Sequence, residues 1–199
     1  MSKKWIKVFF KGGDRIPSVE WISGSFEDVK RIAYEEMAEI AYLDLEDDGI
    51  SDLRNAFLKE LRTRENDNCL FLKFKHGYHP RSDMVIMSKA SLEKTPLVSI
   101  SGRKLWIFVW VDDNASFEAG ECVLRIAKGS KDVIKSIVTD KVNRPAPFRH
   151  ETRFSVEEIP GGFIGYSEDV MDHICYGEGL KVAAIPFAEI PDHKDHEFM

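Results

Sequence analysis

The 199-residue chain carries a formal net charge of −6, and 43% of its residues are hydrophobic, which is enough for a sizeable core. No apolar run approaches the ~20 residues that a membrane-spanning helix requires, so the composition excludes such a helix. The first residues show no secretory signal peptide and three cysteines fit a reducing compartment, so we expect a cytoplasmic protein without membrane contact.

Two runs rich in aromatic and β-branched residues begin the chain, with a Gly-Gly-Asp turn between them, and this pattern predicts an N-terminal hairpin. Apolar residues then recur at three- and four-residue steps, which predicts an amphipathic helix with Ser25 as its N-cap. A second helix is predicted to begin after Ser51, its cap. The predicted elements are the strands 4–11 and 18–23 and a helix pair over about residues 25–63.

The rest of the chain predicts mainly strands. The run Leu-Trp-Ile-Phe-Val-Trp-Val is apolar on both alternating faces, so we expect a central strand that is covered on both sides. Pro160 and the two glycines after it predict the turn of a hairpin. The predicted strands include 69–75, 84–88, 97–101, 104–111, 121–127 and 180–190, and the two further short helices are 129–142, capped by Ser130, and 167–175.

In this order strands come first, helices follow between groups of strands, and no regular alternation of strand and helix is present. The order predicts an α+β fold with a largely antiparallel sheet. No linker rich in Gly, Ser or Pro divides the chain. We therefore expect one domain over residues 1–190, followed by a loose polar C-terminal tail over residues 191–199.

Residues 42–57 match part of the calcium loop of an EF-hand. The loop needs a bidentate glutamate at its twelfth position, where this chain has Asn55. We therefore expect a helix–turn–helix without calcium, in which a glycine takes the left-handed conformation. The residues that do match positions 1, 3, 5 and 6 are Asp44, Glu46, Asp48 and Gly49.

Two His-x-x-His pairs, His76 with His79 and His193 with His196, have a spacing found in zinc sites. Gly77 and Pro80 place the first pair in a turn and the second pair lies in the tail, so we expect exposed histidines and neither a metal nor a cofactor. The three cysteines lie in or next to apolar segments, where we expect free thiols: Cys69, Cys122 and Cys175.

No catalytic motif is found in the chain. Cys175 and the nearby His173 are two residues apart on a predicted helix and would not face each other. Neither a nucleophile elbow nor a phosphate-binding loop is present. We therefore expect a protein that is not an enzyme. The alternative is a hydrolase with dispersed site residues such as His150, His173, Glu36 and Asp169.

The middle of the chain is basic, since residues 53–110 carry eleven basic and five acidic side chains. Basic and aromatic residues interleave there, a pattern that can bind nucleic acid by stacking bases. Because the whole chain is acidic, nucleic-acid binding is an alternative that we do not favour. The residues concerned are Lys73, Lys75, Arg81, Arg103, Lys104, Phe71, Phe74 and Tyr78.

Glu36 lies among the apolar positions of the first predicted helix. An unpaired buried carboxylate is costly, so we expect Glu36 to lie at the edge of the core or to pair with a basic residue of the middle segment.

Residues 26–52 carry ten acidic and two basic side chains, a net charge of −8. The apolar stripe of the helix accounts for burial in the core, which leaves the acidic side free to steer a basic protein partner. We expect a non-enzymatic binding protein, such as an inhibitor, an immunity-type protein or an accessory factor. The predicted partner-binding residues are Glu35, Glu39, Tyr42, Glu46, Asp47 and Asp48.

Overall fold

The computed structural model describes residues 3–12, 14, 16–94, 97–100, 104–111, 122–143, 152–171, 174–175 and 181–193. The chain forms two compact units. Unit 1 consists of Met1–Gly12, Pro17–Ser91 and Ile190–Met199, and unit 2 consists of Gly13–Ile16 and Leu92–Glu189. Because compactness does not show whether a unit unfolds alone, one domain over residues 1–190 stays a prediction.

Unit 1 contains a five-stranded antiparallel sheet and two helices. Its elements in chain order are β1 (Lys3–Phe10), β2 (Ser18–Gly24), α1 (Phe26–Asp47), α2 (Leu53–Glu60), β3 (Arg62–Asn66), β4 (Cys69–Phe74) and β5 (Ser82–Ser88). The strand order is β2-β1-β5-β4-β3. Strands β1 and β2 pair antiparallel, which confirms the predicted N-terminal hairpin.

Helix α1 packs on the sheet through a single apolar stripe. The stripe repeats at every fourth residue, because residues four apart lie on the same face of an α-helix. All five members are fully buried in one apolar core together with Trp5 of β1 and Phe57 of α2. They are Val29, Ala33, Met37, Ala41 and Leu45. This packing directs the acidic side of α1 away from the core.

Both ends of α1 are closed by local hydrogen bonds. At the start, Ser25 accepts the N–H of Asp28 through its hydroxyl oxygen, and the Asp28 carboxylate accepts the N–H of Ser25, which confirms Ser25 as the N-cap. At the end, the N–H of Ile50 donates to the carbonyl of Leu45, and Gly49 has a φ of 74°. The expected left-handed turn at Gly49 is therefore confirmed.

The predicted cap of α2 is wrong by one residue. The N-cap is Asp52, whose carboxylate accepts the N–H of Asn55, and not Ser51. Helix α1 also continues through Asp47, so Asp44 is helical. An EF-hand would need Asp44 at the first position of a loop.

Unit 2 contains a seven-stranded sheet and helix α4. After the short helix α3 (Lys89–Glu93), the elements are β6 (Leu97–Ile100), β7 (Leu105–Val111), β8 (Cys122–Lys128), α4 (Lys131–Val142), β9 (Thr152–Ile159), β10 (Gly162–Met171), β11 (Ile174–Cys175) and β12 (Lys181–Pro186). The order is β11-β10-β12-β7-β8-β6, with β9 paired to β10, and β6 runs parallel to β8.

Strand β7 is central, as predicted, because it lies between β12 and β8. Trp106 and Ile107 point to opposite faces of the sheet and are both buried. Helix α4 is capped by Ser130, as predicted, and its buried residues share a core with Trp106 and Phe163.

The α+β class is confirmed, with four helices and two largely antiparallel sheets among the described residues. One predicted helix position is wrong, because within 167–175 the described residues 167–171 belong to β10 and 174–175 form β11. Strand β10 pairs with β9 as far as Asp169 opposite Thr152. The second short helix is α3 instead. None of the helices that the described residues form is long and apolar enough to span a membrane.

Candidate functional site

A cavity of about 680 Å³ lies in unit 1 beside helix α1. Strands β1 and β2, helix α1 and residues 191–193 form its walls. The N–H of Trp21 donates to the carbonyl of Pro191 at 2.8 Å, and the N–H of His193 donates to the carbonyl of Trp21 at 2.6 Å. Residues 191–193 are thus held against β2, unlike the loose tail that we expected. The lining residues are Lys7, Phe9, Lys11, Ser18, Glu20, Arg31, Ile32, Glu35, Glu36, Glu39, Ile40, Pro191, Asp192 and His193.

The ammonium group of Lys7 lies at the inner end of this site. Lys7 alternates with Trp5 and Phe9 along β1, on the face that α1 covers, and its side chain is only 3% exposed. Its Nζ lies 2.5 Å from Oε1 of Glu20, the residue directly opposite on β2, and 2.5 Å from both carboxylate oxygens of Glu36 on α1. The two carboxylates supply the pairing that a buried charge requires.

Glu20 also contacts His193, whose Nδ1 lies 2.8 Å from Oε2 of the carboxylate. Burial alone would raise the pKa of Glu20, but the hydrogen bonds with Lys7 and His193 outweigh burial and lower the pKa. Glu20 therefore stays ionised and orients the imidazole, as a carboxylate does in a catalytic triad. The cluster therefore fixes the position of one imidazole, that of His193, at the cavity wall.

Glu20, Glu36 and His193 each bring one potential ligand atom within 4.8 Å of the others, a spacing that could hold a cation. The Nζ of Lys7 already occupies the position between the two carboxylates. A metal ion there would have to displace a buried ammonium group from both of its partners. We therefore interpret this cluster as an ion-pair network.

The predicted position of Glu36 at the edge of the core is confirmed. Its side chain is 27% exposed, so it lies at the edge of the core, and it pairs with a basic residue. The expected partner is wrong, because Lys7 comes from the N-terminal strand and not from the middle segment.

The predicted partner-binding residues divide between two places along α1. Glu35 and Glu39 are exposed and line the cavity. Glu46, Asp47 and Asp48 are exposed at the other end of the helix. Tyr42 is half-buried and its ring contacts Phe57 edge-on at 5.8 Å, so it contributes to the core of unit 1. The role of these residues in binding stays a prediction.

The hydrolase alternative stays a prediction. Glu36 belongs to unit 1 and Asp169 to unit 2, whereas His150 and His173 lie outside the described residues.

The first His-x-x-His pair lies in the turn between β4 and β5. Gly77 has a φ of 48°, and the N–H of His79 donates to the carbonyl of His76, so the chain turns tightly. The side chains of the two histidines are 17% and 23% exposed, so the expectation of exposed histidines is wrong for this pair.

The residues of the nucleic-acid alternative are partly buried. Lys73, Arg81 and Phe74 are at most 3% exposed, so they offer little surface to a ligand. Tyr78 is fully exposed, and Lys104 pairs with Glu189. Arg103 lies outside the described residues.

Cys69 is a free thiol, and burial raises its pKa. The side chains of Cys122 and Cys175 lie outside the described part of the chain, so three free thiols stay a prediction.

Sequence reasoning missed Lys7, Glu20 and His193 as members of one site. A signal for Lys7 was present, because it occupies the core-facing register between Trp5 and Phe9. A lysine at such a position requires an acidic partner, but nothing local identifies that partner.

Comparison of the chain with protein-family models, with curated proteins and with solved structures finds no match. The function therefore has to be argued from the cavity itself.

Proposed function

We propose that the protein is a binding protein whose unit 1 takes up basic side chains of a partner protein in the cavity beside α1. The observation that carries the proposal is the presence of an apolar floor and an acidic rim in the same cavity.

The floor is formed by Phe9 of β1 with Ile32 and Ile40 of α1. The two isoleucines are half-buried, so part of their surface faces the cavity. The aliphatic stems of lysine and arginine lie along apolar surface of this kind and keep their charged groups at the polar edge.

The rim is formed by Glu35 and Glu39, which are both exposed. Glu39 makes no ion pair with any described residue, and Glu35 pairs with Arg31 at 3.2 Å in a contact that is exposed on both sides. An exposed pair of this kind contributes little to stability, so a guanidinium group from a partner can take the place of Arg31.

The remaining acidic residues of the cavity are already paired. Lys7 binds Glu20 and Glu36, and Lys4 lies 2.7 Å from Asp192. Lys11 and Arg31 also line the cavity and offset part of its negative charge. The acidic groups left for a partner are Glu39 and the weakly paired Glu35 at the rim, where they steer basic groups towards the cavity. The proposal keeps Glu35 and Glu39 from the predicted acidic face. Glu46 is about 16 Å further along the helix axis from Glu35, at 1.5 Å per residue.

A charge-matched pair of variants tests the proposal. Glu35→Gln with Glu39→Gln removes two rim charges, and Glu46→Gln with Asp47→Asn removes two exposed charges from the other end of α1. Binding of a fluorescein-labelled peptide of alternating arginine and glycine is measured by fluorescence anisotropy at two salt concentrations.

We expect the rim variant to bind the peptide about tenfold more weakly, a loss of about 1.4 kcal/mol, with a smaller salt dependence. The control variant should lose less than about threefold, because only its long-range attraction is reduced. Equal losses in the two variants would show that the peptide responds to net charge and not to the cavity.

A further inference from the structure

Two rows of side chains run along the cavity side of α1. Each row repeats at every fourth residue, because residues four apart lie on the same face of a helix. The outer row is exposed and the inner row is half-buried, so the cavity is a trough that follows the helix. The outer row consists of Arg31, Glu35 and Glu39, and the inner row consists of Ile32, Glu36 and Ile40.

The inner row offers apolar surface on both sides of a neutralised carboxylate. The Nζ of Lys7 lies 2.5 Å from both carboxylate oxygens of Glu36, so this glutamate has no uncompensated charge for a partner. Ile32 and Ile40 lie four residues before and after it, about one helical turn in each direction. The aliphatic stems of two basic side chains can therefore lie along the inner row, one on each side of Glu36.

The outer row offers two carboxylates at a fixed separation. Glu35 and Glu39 are about 6 Å apart along the helix axis, at 1.5 Å per residue. In an extended segment, side chains two residues apart point the same way and are separated by about 6.7 Å. Because the two spacings agree within about 1 Å, two basic residues separated by one residue can face Glu35 and Glu39 together.

Strand β1 runs along α1 in the same direction as the helix. Trp5 contacts Phe26 at the start of α1, with ring centroids 5.4 Å apart, and Lys7 contacts Glu36 near its middle. Lys11 follows β1 and lines the cavity. It therefore lies towards the C-terminal end of the trough.

The trough has a cation at each end, Arg31 at the start and Lys11 towards the other end, and both are exposed. A third basic residue in line with the first two would approach one of these cations, which is unfavourable. Residues 31–40 span about 14 Å along α1, the length of about four extended residues. The dimensions and charges of the trough thus fit a short segment with two basic residues.

We propose that the cavity recognises an extended segment of a partner protein that carries two arginines separated by one residue. The inference rests on the proposed function, because it specifies which basic segments the cavity takes up. Arginine suits the outer row better than lysine, since its planar guanidinium group donates two parallel hydrogen bonds to one carboxylate. Two adjacent arginines point to opposite sides of an extended segment, so only one of them faces the outer row.

Two fluorescein-labelled, amidated peptides of identical composition test the spacing. One is Gly-Gly-Arg-Gly-Arg-Gly-Gly and the other is Gly-Gly-Arg-Arg-Gly-Gly-Gly, and binding to the whole chain is measured by fluorescence anisotropy. Their charges are equal, so long-range attraction to the acidic protein is the same for both. We expect the parent protein to bind the peptide with separated arginines about fivefold more tightly, which corresponds to one additional exposed ion pair.

Two single variants locate the origin of this preference. Glu39→Gln removes the second carboxylate of the outer row and should reduce the preference to less than about twofold. Glu46→Gln, at an exposed position of α1 outside the cavity, should keep the preference of about fivefold.

Equal affinity of the parent protein for the two peptides, or a preference that survives Glu39→Gln, would overturn the spacing. The proposed function would still stand in that case if Glu35→Gln with Glu39→Gln binds both peptides more weakly than the parent protein does. If this double variant binds them as tightly as the parent protein, the proposed function fails as well.

Discussion

Lys7 joins a strand to a helix through one buried ammonium group. Its partners are Glu20 on β2 and Glu36 on α1, and the same Glu20 carboxylate holds the imidazole of His193. Removal of a single charge from such a cluster leaves the remaining charges without compensation in a poorly solvated place. The inner wall of the cavity therefore depends on Lys7.

We expect Lys7→Met to lower the free energy of unfolding by about 3 kcal/mol at pH 7, because two neighbouring carboxylates lose their shared cation. Urea unfolding measures the change. Lys59→Met, at an exposed position of α2, should change stability by less than about 0.5 kcal/mol.

The difference in the free energy of unfolding between the parent protein and Lys7→Met should depend on pH. The pKa of Glu20 lies below its ordinary value of 4.5 in the folded protein, so its contribution is complete above that pH and is lost as the pH falls through the lowered value. The two unfolding curves should therefore converge below about pH 4.5. A stability difference that stays constant down to pH 3 would contradict the ion-pair account.

At the level of single elements, unit 2 depends on a close approach between helix α4 and strand β10. Gly165 lies opposite Val182 of β12 and Val156 of β9. A Cβ atom added at Gly165 would lie 2.7 Å from a methyl carbon of Val138 and 2.9 Å from a methyl carbon of Val142. The glycine is thus required because the helix packs directly on the strand.

We expect Gly165→Ala to cost about 2 kcal/mol in urea unfolding, because the added methyl group overpacks the contact with α4. Val138→Ala removes one of the two obstructing side chains. The double variant should be less destabilised than the sum of the single variants by at least about 0.5 kcal/mol. Strict additivity would show that the cost of Gly165→Ala has another origin.

The sequence predicts best those elements whose pattern is local. The apolar stripe of α1, which repeats at every fourth residue, and the Ser25 cap can both be recognised within one short segment of the sequence, and both are confirmed. Residues 167–171 form a strand instead of the predicted helix because residues 167–169 pair with β9 and residues 170–171 pair with β11, and no local pattern reveals these pairings. Strand β3 is absent from the prediction because all five of its residues are exposed, as an edge strand allows.

At the level of the whole molecule, the cavity is assembled from parts of the chain that are far apart in sequence. Glu20 and His193 are 173 positions apart, and Lys7 and Glu36 are 29 apart. The net charge of −8 in residues 26–52 predicted an acidic surface but not its position relative to a cavity. That position depends on the docking of residues 191–193 against β2.

The central claim is that the cavity beside α1 binds basic side chains. Chemical-shift mapping tests it most directly, with the ¹⁵N-labelled protein titrated with the unlabelled peptide of alternating arginine and glycine. We predict that the largest amide shifts fall on Glu20, on residues 31–40 and on residues 192–193. Shifts confined to Glu46, Asp47 and Asp48, or to unit 2, would contradict the claim.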